Sequence, residues 1–75
     1  MAWQNSKKIT GLWAINENNN AWAWVDGIGW RKCDDKDNTT NILILCAHAK
    51  SVGGFVDFNE ENRDARTRIV EIYAW

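Results

Sequence analysis

The sequence contains no proline, and it shows no linker, internal repeat or low-complexity tract, so its 75 residues read as one small domain. A chain of this size buries only roughly 60% of its unfolded surface, which leaves it marginally stable without staples or partners. Two cysteines are too few for a disulfide scaffold. The formal charge of −1 lacks the excess of Lys and Arg that non-specific binding to phosphate backbones requires, so a nucleic-acid partner is not expected. The longest apolar run, Ile42 to Ala47, falls far short of the roughly 20 residues a membrane-spanning helix needs. The opening MAWQNSKK has no apolar signal core, which fits either a cytoplasmic protein or a mature secreted chain carrying an added Met1.

Chemistry-bearing motifs are equally scarce. His48 is the sole histidine, with no carboxylate at i+4 and no cysteine pair at metal spacing, so neither a metal nor another cofactor is expected. Helical phase places Cys46 toward the core and His48 well round from it, which separates the pair a Cys/His nucleophile would need. Asp34, Asp35 and Asp37 form an acidic loop ahead of a helix and lack the glycine and distal glutamate of a calcium loop. Asn38-Thr39-Thr40 matches a glycosylation acceptor, which has meaning only on a eukaryotic secretory route. With no nucleophile elbow, phosphate loop or tuned carboxylate pair, the sequence does not read as an enzyme.

What the chain has in excess is tryptophan, six in all. So small a core cannot fully bury that many indoles, and exposed indoles mark contact surfaces. Asp37 to Gly54 reads as the single helix: Asp37 or Asn38 caps its start, and Gly53 and Gly54 stop it. At about 100° per residue, Ile42, Leu45, Cys46, Ala49 and Val52 share one face. The opposite face mixes apolar Leu43, Ile44 and Ala47 with His48, Lys50 and Ser51, so a second copy of the chain is expected to cover it. Around the helix, residues 1–7 read as a loose lead-in, followed by strands over Lys8 to Asn16, Ala21 to Val25 and Gly29 to Cys33. NENNN forms a turn and Asp26-Gly27 a hairpin. Beyond the helix come a strand at Phe55 to Asn59, a charged loop at Glu60 to Ala65, and a last strand at Arg66 to Trp75. The order β-β-β-α-β-β in a mainly β chain with one helix (α+β) predicts a five-stranded OB-fold barrel.

From Ile9 to Trp75 the chain resembles the OB-fold B subunits of bacterial AB-type toxins, the Shiga toxin B subunit above all. Ile9-Thr10-Gly11 opens the first strand as in that family, Leu45 to Phe58 aligns without a gap to its helix and fourth strand, and RIVEIYAW resembles its last strand. The resemblance implies a homopentameric ring with helices lining a central pore, binding cell-surface glycans and able to carry an enzymatic toxin subunit. It places Trp30 where the family has an aromatic sugar-contacting residue. The family's disulfide ties the first strand to the last, and neither Cys33 nor Cys46 stands at those positions. A narrower likeness covers one hairpin: Trp24 to Trp30 is similar to the W-D-G-x-G-W hairpins of fucose-binding propeller lectins.

Strand alternation puts Ala21, Ala23 and Val25 on one face and Trp22 and Trp24 on the other. With Trp30 on the next strand, Trp22 and Trp24 form a candidate sugar-stacking shelf, and Asp26, Arg31 or Asn20 would take the hydroxyls. Burial of the same indoles at a subunit interface stands level with that reading. Trp13 is assigned to the core. Cys33 and Cys46 are expected close together, as free buried thiols or as a disulfide. Three functions follow: a glycan-binding ring, which is favoured, a single-stranded nucleic-acid binder using the aromatics, and a structural oligomer glued by tryptophan.

Overall fold

The computed structural model describes residues 2–34 and 36–75. The chain runs β1 (Ala2–Lys7), β2 (Ile9–Ala14), β3 (Ala21–Val25), β4 (Gly29–Cys33), α1 (Thr39–Val52), β5 (Val56–Arg63) and β6 (Arg66–Ala74). The expected class holds, mainly β with one helix. The architecture is one six-stranded mixed sheet, ordered β1-β5-β6-β4-β3-β2, rather than a closed five-stranded barrel. Every neighbouring pair is antiparallel except β4 and β6. The two edge strands, β1 and β2, are consecutive in the chain and separated only by Lys8. The backbone turns this corner through Ser6 at φ 54°, with a register shift on either side, between Gln4 and Lys7 and between Ile9 and Gly11. Such bulges bend a strand sharply.

The strands follow from side-chain alternation. In β3 the small residues Ala21, Ala23 and Val25 are buried, which lets α1 lie against this part of the sheet. Val56 and Phe58 of β5 enter the same core with Ile9, Cys33 and Ile69. From the helix, Ile42, Cys46 and Ala49 close it, and Thr39 is buried at the first turn with its hydroxyl bonded to the Asp34 carbonyl. The helix begins after Asn38, whose side chain makes no cap bond to the first turn and instead donates to the Val70 carbonyl at 3.2 Å. It stops at Gly53, left-handed at φ 67°, where the Gly54 amide bonds the Ala49 carbonyl at 3.0 Å.

Several expectations change. Residues 2–7 are a strand, not a lead-in, and Glu60 to Arg63 extend β5 where a loop was expected. On the helix, Leu45 and Val52 are exposed rather than in the core, and Leu43 packs against the core rather than on the outer patch with Ile44 and Ala47. Strict alternation along Arg66 to Trp75 sets Ile69 and Ile72 on opposite faces, yet Ile69 is fully buried and Ile72 packs on the same core, because the β5–β6 register shifts between Asn59 and Glu60. Met1 and Asp35 lie outside the described residues.

Candidate ligand-binding face

On β2, β3 and β4 the pairing sets large side chains opposite one another. Trp13 of β2 faces Trp22 of β3, and Trp24 of β3 faces Trp30 of β4. The Trp13 and Trp22 rings stack with centroids 6.1 Å apart at 8°, and Trp30 meets Trp24 edge-on at 5.3 Å and 83°. Trp30 also presents an edge to Trp13 at 6.3 Å. Four indoles therefore make one continuous surface in the offset and edge-to-face geometries that their quadrupoles favour. Trp13, Trp24 and Trp30 remain 38–40% exposed. Gly11 supplies the gap beneath them: a Cβ there would sit 3.2 Å from the Trp24 Cβ.

Trp13 lies outside the core to which the sequence assigns it. Ile9, four residues earlier on β2, does point inward. The register shift between Ile9 and Gly11 reverses the faces, so Leu12 packs on the core and Trp13 turns outward. No composition rule signals this bulge, and strict alternation gave the opposite face.

Of the flanking polar residues, Asn20 adjoins the surface. Its side-chain oxygen accepts from Trp22 Nε1 at 2.8 Å, and its amide donates to Glu17 Oε2 at 2.7 Å. Asp26 is exposed in the turn after β3, its amide bonded to the Lys8 carbonyl. Arg31 lies elsewhere: it pairs with the buried Ala23, on the far face, and its Nε contacts Glu60 Oε1 at 3.2 Å. Beside the indoles opens a cleft of about 270 Å³ with almost wholly polar walls, lined by Glu17, Asn18, Asn19, Asn20, Lys32 and Arg66. Sequence reading passed over Lys32 and Arg66. Lys32 was legible, since it stands two residues beyond Trp30 on the same strand face and opposite Trp22. The residue is largely buried, and its ammonium donates to the Asn19 carbonyl at 2.7 Å.

A second aromatic group lies on β1 and β6, where Tyr73 contacts Trp3 at 5.9 Å and stacks on Trp75 at 5.8 Å. Trp75 Nε1 is held by Asp57 Oδ2 at 3.0 Å. Cys33 and Cys46 are both buried and unbridged. The Cys46 thiol is held protonated far above its ordinary range, first by its hydrogen bond to Cys33 and then by burial. Among the described residues, no group of three His, Cys, Asp or Glu is placed to hold a metal, and no helix is long and apolar enough to cross a membrane.

The fold and the face together define a small mixed-sheet protein with a tryptophan platform and an adjoining polar cleft. No protein-family profile, curated protein or solved structure matches the chain.

Proposed function

We propose that the protein is a glycan-binding subunit of a homo-oligomer, with sugar rings stacking on Trp13, Trp22, Trp24 and Trp30. The observation that carries this reading is the platform itself: four indoles locked by mutual contact, three of them open to solvent, beside a polar cleft. A pyranose has an apolar C–H face that stacks on indole and a hydroxyl rim that needs polar partners, which Asn20, bonded to Trp22, is placed to supply, with Asp26 exposed in the turn that follows β3. Arg31, tied to Glu60 on the other face, has no part in it.

The strand order supports a finer reading of the fold. Taken as two halves of one bent strand, β1 and β2 would bring the sheet's ends together into the five-stranded OB barrel, with the helix between its third and fourth strands. In OB-folds the face of the second and third strands, with its flanking loops, binds oligosaccharides and oligonucleotides. The platform and cleft occupy that face in this reading. Single-stranded nucleic acid would stack on the same rings, but a chain of net charge −1 offers no field for a polyanion. Cell-surface glycans are accordingly the preferred partners, and the ring implied by the toxin-subunit resemblance is the preferred assembly.

The test is binding to a glycan array with wild type and Trp30→Ala. A single stacked sugar gives few contacts, so a per-site Kd on the order of millimolar is expected. Trp30→Ala is expected to weaken it roughly tenfold or more, with the assembly intact. Silence of the wild type on the array, with salt-sensitive retention of oligothymidylate, would transfer the face to nucleic acid. An assembly that dissociates on Trp30→Ala would make the platform an interface.

A further inference from the structure

Resting on the glycan reading, we propose that the cleft beside the platform takes a carboxylate, so that the preferred ligand is an acidic glycan bearing a sialate or uronate residue. The cleft, at about 270 Å³, is smaller than the roughly 300–1,000 Å³ of sites that enclose drug-sized ligands. It suits one polar substituent of a sugar whose ring lies on the indoles. Two cations, Lys32 and Arg66, and one carboxylate, Glu17, line it. The Glu17 carboxylate accepts from the Asn20 amide, and Asn20 is itself fixed by Trp22, so this acid is oriented toward the protein. Lys32 is a largely buried residue whose ammonium, anchored on the Asn19 carbonyl, holds its charge at the cleft wall. Arg66 is exposed and forms none of the ion pairs among the described residues. A guanidinium meets a carboxylate through two parallel N–H bonds, a geometry that a hydroxyl cannot match. The shared link is Asn20, which touches both platform and cleft, so a ring on Trp22 and its substituent at Arg66 belong to one ligand. A polyanion needs charge along its whole track, whereas a lone carboxylate needs only this local pair.

The experiment is a calorimetric titration of the intact protein with a neutral oligosaccharide and with the same oligosaccharide carrying a terminal carboxylated sugar. The acidic form is expected to bind roughly tenfold tighter, with an advantage that shrinks in high salt. Arg66→Gln is expected to bring the ratio of the two affinities close to one. Equal affinities for the two sugars in the wild type overturn the acidic preference and leave the glycan reading standing. A preference that survives Arg66→Gln unchanged overturns the assignment to this cleft. Failure of both sugars to bind overturns the glycan reading as well, and binding of oligothymidylate alone names the replacement.

Discussion

Gly11 shows how one missing side chain shapes the tryptophan platform. It lies opposite Trp24, and a Cβ built there would approach the Trp24 Cβ to 3.2 Å and the far edge of Trp30 to 4.0 Å. Alanine asks Trp24 to yield by a few tenths of an ångström, whereas the branched methyls of valine would enter the space beneath the rings. Gly11→Val is therefore expected to cost about 1–3 kcal/mol, as overpacking does, and to part Trp24 from Trp30. Chemical denaturation reads the first effect, and loss of the exciton-coupled circular dichroism of the paired indoles reads the second. Unchanged dichroism would mean that the rings do not rely on that gap. The same residue-scale detail limits what the sequence could disclose. Trp22, Trp24 and Trp30 were legible as a shelf because β3 and β4 keep strict alternation. Trp13 was not, because a one-residue bulge inverts every face beyond it.

At the level of elements, β3, β4 and the helix stop at Gly53 were all readable, since each carries a local chemical reason. The two parts of the sheet that escaped reading, β1 and the end of β5, lack one. β1 is an edge strand, its residues exposed or half-buried throughout, so it has no apolar alternation to reveal it. The β5–β6 hairpin is built from EENRDA, a polar run that resembles a loop. Its turn uses Asp64 and Ala65, both left-handed at φ 53° and 61°, where glycine or asparagine is the usual signal. An alanine pays a steric penalty in that region that glycine avoids. Ala65→Gly is therefore expected to raise stability by roughly 0.5–1 kcal/mol, after glycine's larger unfolded-state entropy is set against the relieved strain. A shift of the denaturation midpoint to lower denaturant would refute this account of the turn.

At the scale of the molecule, the accessible surface of 4494 Å² is close to the roughly 4,700 Å² expected of a compact monomer of 8.7 kDa. The single chain thus exposes no more surface than a compact monomer does, so the proposed assembly would add a contact to a formed fold. The surface proposed for that contact is the outer side of α1, where Ile44 is 58% and Val52 59% exposed, with Leu45 and Ala47 also open to solvent. It lies across the sheet from the tryptophan platform, so copies joined through their helices would leave every platform free. Ile44→Glu places a charge where the joined helices would exclude water, a costly position without a partner. Light scattering is expected to find wild type as an oligomer at micromolar concentration and Ile44→Glu as a monomer with unchanged far-ultraviolet dichroism. Each monomer should keep its weak per-site affinity for free sugar. Binding to a dense glycan surface should nevertheless fall by about 10²-fold or more, because the other sites no longer act at high effective concentration. A monomeric wild type, or a mutant that binds the surface as well as its parent, would remove the helix face from the account and leave the platform to act alone.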